Sequence, residues 1–148
     1  MAAINFFSED IVFKIRHPRK VSTWIKESIE RETKALRSIN IIFCSDERLL
    51  SINKQFLNHH TLTDIITFDT RENNAELEGE IYISIDRVTE NATKFGVLFE
   101  DELHRVIIHG ILHLIGYTDK KSEAKLLMRK KEDTYLLLRN KITFHVKH

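Results

Sequence analysis

His109-Gly-Ile-Leu-His113-Leu-Ile-Gly116-Tyr-Thr-Asp119 is the stretch on which both the fold and the chemistry turn. Two histidines four apart on a helix share one face, about one turn from each other. Both imidazoles can then reach a single ion at roughly 2.0–2.1 Å. Gly116 permits the backbone conformation that ends the helix, and residues 117–119 can fold the Asp119 carboxylate back toward the same point. Three protein ligands leave a fourth position open for water, as catalytic zinc sites do. With eight histidines in 148 residues the pair alone is a weak signal. The full string of pair, glycine stop and acid is a stronger one. The residue after His109 is Gly110, where HExxH peptidases carry their catalytic Glu. Peptide hydrolysis by that route is therefore not expected.

Working outward, the metal-bearing helix is expected from about Phe99 to Ile115, preceded by a helix from Asp86 to a stop near Gly96. Ser122 has the chemistry to cap a last helix reaching about Leu138, and the tail Ile142–His148 gives no clear pattern. Toward the N-terminus, Gly79–Ile85 alternates and Asp64–Phe68 is β-branched, so both read as strands. Ile39–Cys44 reads as another. Ser45 then caps a helix that carries Asp46 and Glu47 in its first turn and runs to about Leu57. Ile11, Phe13 and Ile15 alternate and are expected to form the first strand. Pro18 then opens a helix from Val21 to about Leu36, with Trp24, Ile25, Ile29 and Leu36 as core residues. The sum is one α+β domain over residues 1–148, a small mixed sheet of about four strands packed with helices. The metal site falls at the end of its central helix.

Composition bounds the function. The 23 Lys+Arg against 22 Asp+Glu exclude a globally basic nucleic-acid binder but not a local basic patch. Lys14, Arg16, Arg19 and Lys20 form one candidate patch, and Lys120 and Lys121 form another beside the metal turn. Cys44 is the only cysteine, so no disulfide within the chain and no disulfide-linked partner is expected. It reads as a small buried hydrophobe in a reducing, cytoplasmic compartment. No stretch approaches the roughly 18 apolar residues of a membrane helix, and no secretory signal is visible. No apolar helix face stands out as unpartnered, which makes a monomer the default.

At this string the chain resembles the YbeY-like rRNA maturation factors, a family of metal-dependent endoribonucleases. Residues 109–117 match each fixed position among the first nine of the signature His-Gly-x-Leu-His-Leu-x-Gly-Tyr-Asp-His. Thr63-Asp-Ile-Ile-Thr-Phe68 is similar to Thr-Asp-Val-Leu-Ser-Phe, and Gly79-Glu-Ile-Tyr-Ile-Ser84 to Gly-Asp-Ile-x-Ile-Ser, in the same order. The resemblance implies a hydrolase acting on single-stranded RNA in rRNA processing and ribosome quality control. One divalent metal, zinc first, would be its cofactor, and rRNA and the ribosome its partners. The ion would lower the pKa of a bound water and polarise a phosphoryl oxygen.

Two departures bear on that implication. The family's third histidine is Asp119 here, and a carboxylate offsets part of the ion's charge and leaves metals such as Mn²⁺ harder to exclude. The family's arginine after Asn53-Lys-Gln-Phe56 is Leu57 here, with His59, His60 and Arg71 as possible substitutes. The sequence does not name the general base. Asp64 is the candidate acid, with a turn residue bonding its own backbone as the plainer reading. His104, about 140° around the helix from His109, is expected at the surface. The rival function is a non-catalytic ribosome- or rRNA-binding factor with a closed, structural metal site, to which Cys44 or His60 would add a fourth ligand.

Overall fold

The structure, a computed structural model, describes residues 2–57, 63–72 and 76–144, with side chains to residue 142. Three of the four strands fall on runs read as strands. Strand β1 spans Ala3–Ser8, β2 Leu36–Cys44, β3 Ile65–Asp69 and β4 Leu77–Ser84. The sheet order is β1-β2-β4-β3. β1, β2 and β4 run parallel and β3 is antiparallel to β4, so the sheet is mixed. Period-two alternation then sorts the side chains. Ile39, Ile41, Phe43, Ile81 and Ile83 join the main core, whereas Cys44 and Ile66 face a smaller cluster on the other side.

Five helices complete the fold: α1 Pro18–Arg31, α2 Asp46–Leu57, α3 Ile85–Phe95, α4 Phe99–Ile115 and α5 Ser122–Phe144. α2 supplies Leu49 and Ile52 to the smaller cluster. Ser45 caps it as expected, its Oγ accepting from the Arg48 amide at 3.1 Å. The main core lies under α1 and α4. Trp24, Ile25 and Ile29 are buried there, and the Trp24 indole donates to the Tyr135 carbonyl at 2.7 Å, tying α1 to α5. α4 is buried on nearly all sides, with Leu103, Val106, Ile107, Ile108, Ile111, Leu112 and Leu114 all in the core. Each such side chain contributes about 1.5–3 kcal/mol on burial.

Gly110 lets α4 lie close to the sheet. A Cβ there would stand 2.7 Å from Ile65 Cδ1 and 3.1 Å from Ile81 Cγ2. The helix accepts a glycine that costs about 1 kcal/mol relative to Ala, and gains a tight seat on β3 and β4. That seat holds the helix segment between the two histidines.

Five expectations need correction. α1 ends at Arg31, and Leu36 opens β2 instead of closing the helix. Residues 11–15 form no strand; β1 lies earlier, at Ala3–Ser8. Their alternation instead reflects packing beside the sheet, where the Phe13 ring meets Phe43 edge-on at 4.9 Å and Phe99 at 5.9 Å. His104 is buried rather than at the surface, because α1 and α5 cover that side of α4. Its ring lies 5.6 Å from Trp24, and Arg139 Nη1 stands 3.1 Å from its Nδ1. Apolar residues are left exposed after all: Leu126 and Leu137 lie on one face of α5 in the open. α5 also runs past Leu138 to Phe144, while the end of the tail lies outside the described residues.

Candidate metal centre

α4 delivers His109 and His113 one turn apart, their rings 4.6 Å between centroids. The helix ends as the glycine predicts. Gly116 has φ +128°, and the Tyr117 amide donates to the Leu112 carbonyl at 3.0 Å. The next residues are pinned from below. Tyr117 Oη donates to Glu32 Oε1 at 2.6 Å, and Tyr135 and Lys131 hold the same carboxylate. Glu32 follows α1, so three helices fix the turn from which Asp119 projects.

Asp119 Oδ2 lies 3.3 Å from His109 Nε2 and 3.6 Å from His113 Nε2. Two ligand atoms about 2.0–2.2 Å from one ion, at a tetrahedral angle, stand roughly 3.3–3.6 Å apart. The spacing therefore fits a shared ion, and His109, His113 and Asp119 could hold one. Among the described residues this group offers three donors, which leaves a tetrahedral ion with one open position. Cys44 contributes none: its Sγ is buried 3.6 Å from the Ile83 carbonyl, and burial pushes the thiol up to about 12. His59 and His60 lie outside the described residues.

A cavity of about 340 Å³ opens beside His109 and Asp119. Asp64, Glu102 and Glu132 supply acid to its wall, and Arg105, Lys125 and Arg129 supply base. Burial raises the Asp64 carboxyl above its usual range, with a hydrogen bond from its own backbone, the turn contact expected of it, and then His109 working against that. Burial, then the Asp64 charge, raises Glu102. The two histidines move oppositely. Burial lowers both, but the Glu132 hydrogen bond and the charges of Glu132, Asp119 and Asp64 carry His109 above its ordinary value. His113 falls, through burial and then the neighbouring His109. Carboxylates converging on one imidazole make a place suited to positive charge.

The cations nominated from sequence are scattered. Arg16 pairs with Glu100 at 3.0 Å, at the far end of α4 from the ligands, and Lys14 lines a groove beside β1. Arg19 and Lys20 sit in the first turn of α1. Lys120 and Lys121 are exposed directly after Asp119. Arg105, Lys125, Arg129 and Glu132 were missed. Glu132 did leave a trace: with Met128, Tyr135 and Leu138 it occupies the buried stripe of α5, where an apolar residue belongs. Leu57 is exposed at the end of α2. Arg71 is engaged with Asp69 and with the Leu114 carbonyl at 3.2 Å, next to His113 in the chain.

A sequence profile described as "Endoribonuclease YbeY" matches residues 4–139. The chain belongs to the endoribonuclease YbeY family. Among YbeY relatives, that of Flavobacterium psychrophilum is 51% identical, over 95% of this chain and 96% of its own length. The Cytophaga hutchinsonii YbeY is 48% identical over 92% and 95%. The solution structure of TM1509 from Thermotoga maritima is similar, with a TM-score of 0.64 and 29% identity, covering 98% of this chain and 92% of that one. The matched span contains the ligands, the turn that carries Asp119, and Glu132 on α5. The YbeY resemblance read from three short motifs thus extends over nearly the whole length.

Proposed function

We propose that this chain is a metal-dependent endoribonuclease specific for single-stranded RNA, acting in rRNA maturation and ribosome quality control in the cytoplasm, with residues 1–148 as one catalytic domain. The observation that carries the reading is a group of three donors within 4.8 Å of one another, Asp119 at tetrahedral spacing from both histidines, beside an open cavity whose wall holds Arg105, Lys125 and Arg129 among its acids. His109, His113 and Asp119 would hold the ion, zinc by the chemistry of two imidazoles and a carboxylate. When bound, the ion would supply Lewis acidity at a phosphoryl oxygen and acidify a water molecule.

The chain's own residues do the rest. Lys125 and Arg129, four apart on α5, present two positive charges to a phosphate backbone entering the cavity. Lys120 and Lys121 extend that surface past Asp119. Asp64 enters the same cavity from the start of β3, placed to accept and return a proton at its carboxylate. No family arginine stands at Leu57, so cations on α5 take up charge developing on the phosphate. A closed structural site would need a fourth protein donor, and the described residues offer three at this point.

The test is cleavage of a single-stranded oligoribonucleotide and of the same sequence in duplex. Cutting of the single strand alone, abolished by a chelator and by His113→Ala, is expected. Equal cutting by His113→Ala, or cutting that survives chelation, would sink the reading.

A further inference from the structure

One acid at the centre is neither ligand nor exposed to solvent. Glu132 lies on α5 with its side chain 6% exposed, and its Oε2 stands 2.6 Å from His109 Nδ1. Its other oxygen accepts from Arg105 Nη1 at 2.8 Å. The opposite edge of the same imidazole carries Nε2, 3.3 Å from Asp119 Oδ2. Glu132 is therefore on the wrong side of the ring to join the ligand group.

We propose that Glu132 is a positioning residue: it holds His109 in the Nδ1–H tautomer, with Nε2 aimed at the ion shared with His113 and Asp119. A neutral imidazole has one N–H and one lone pair, and a hydrogen bond at one nitrogen decides which is which. A buried carboxylate facing Nδ1 accepts that proton's hydrogen bond and leaves the lone pair on Nε2. Its negative charge also makes Nε2 a better electron donor to a metal. Arg105 keeps the carboxylate from turning, because it occupies Oε1 while pairing with Asp133 at 2.7 Å through its other amine. His113 has no such carboxylate among the described residues; its further partner is the Tyr117 backbone. The two histidine ligands are thus held by different means, one by a rigid charged pair linking α4 to α5, one by the turn that follows it.

This inference rests on the metal centre of the proposed function, and the test separates the two. The full chain is titrated with Zn²⁺ against a competing chelator, as wild type, His113→Ala, Glu132→Gln and Glu132→Asp. Wild type should bind one ion and His113→Ala should lose it. Glu132→Gln should weaken Zn²⁺ binding 10- to 100-fold while the metal-free protein remains folded. Glu132→Asp withdraws the carboxylate by one methylene yet keeps its charge, so it should also lose at least tenfold. It substitutes for Glu132→Gln if that variant melts too low to titrate. Imidazole nitrogen NMR of the zinc-loaded protein supplies a readout that a packing role would not move. A low-field His109 Nδ1 proton is expected in wild type and should vanish in Glu132→Gln. Unchanged affinity in a folded Glu132 variant, or an unchanged His109 spectrum, overturns the positioning role and leaves the centre standing. No stoichiometric ion in wild type, with His113→Ala no different, overturns the centre and this inference with it.

Discussion

Gly79→Ala should destabilise the protein, although alanine is normally the better residue in a strand. Gly79 pairs with Ile39 on one side and Asp69 on the other, and lies under Leu114 of α4. A Cβ there would meet the Phe68 carbonyl oxygen at 2.6 Å and the two Leu114 methyls at 3.1 and 3.2 Å. The oxygen is backbone, held in the β3–β4 ladder, and cannot rotate away. Relief requires β3 and β4 to shear, or α4 to lift off beside His113. Because the nearest obstacle is backbone, the upper half of the usual overpacking range applies, about 2–3 kcal/mol, against the up to about 1 kcal/mol that alanine gains over glycine. The net loss is about 1–2 kcal/mol. At about 2–4 °C per kcal/mol for a chain of this size, the midpoint should fall by roughly 2–8 °C, with a matching drop in urea midpoint at constant slope. Gly110→Ala is the comparison. Its nearest obstacle, Ile65 Cδ1 at 2.7 Å, is the tip of a side chain, so it should cost less. A Gly79→Ala protein as stable as wild type, or more so, would refute the packing of α4 on β4.

Other consequences can be checked alongside. Burial, then the Arg139 guanidinium, pushes His104 down to about 4 from 6.5, with Asp101 opposing. The unfolded chain takes up this proton below about pH 6.5 and the folded one refuses it until about pH 4. Stability is therefore full above that window and falls as pH drops through it, by roughly 3 kcal/mol at most. His104→Gln, which retains an acceptor for Arg139, should flatten the decline in denaturant melts between pH 7 and 4; an unaltered slope would exclude His104. Chelation should lower the melting temperature: an ion at a hundred times its Kd adds about 2.7 kcal/mol, or roughly 5–11 °C at this size, and an unchanged melt would argue against the site. Charge reversal of Lys125 and Arg129 should weaken RNA binding and reduce the slope of log K against log salt by about 0.7 per lost phosphate contact. If reversal of Lys120 and Lys121 alone flattens the slope, the strand runs past the metal turn instead.

Sequence carried far where the signal was local. Gly96 and Gly116 both stop helices at positive φ. The alternation in Gly79–Ser84 lies within β4, and the pair His109/His113 faces Asp119 as the i,i+4 spacing requires. The misses were long-range. Residues 11–15 alternate because they lean on Phe43 and Phe99, and period two alone does not tell an extended chain beside a sheet from a strand within it. His104 was misplaced because a helical wheel shows angle but not what covers it. α4 is enclosed by α1 and α5 as well as by the sheet, so its outer arc is interior too. Glu132 is 23 residues from its partner His109, and only the docking of α5 on α4 brings them together. Its place in the stripe Met128–Glu132–Tyr135 was the one readable clue, an acid where the period demands an apolar residue.

The central claim is that Asp119 completes a working metal centre where relatives of the resembled signature carry histidine. The most direct measurement is the single-turnover cleavage rate of a single-stranded rRNA fragment by wild type and Asp119→Ala protein, purified identically so that contaminating nucleases are shared. Cleavage by wild type and none above background by Asp119→Ala is the predicted result. Equal cleavage by both would contradict it, because the activity would then arise away from His109, His113 and Asp119.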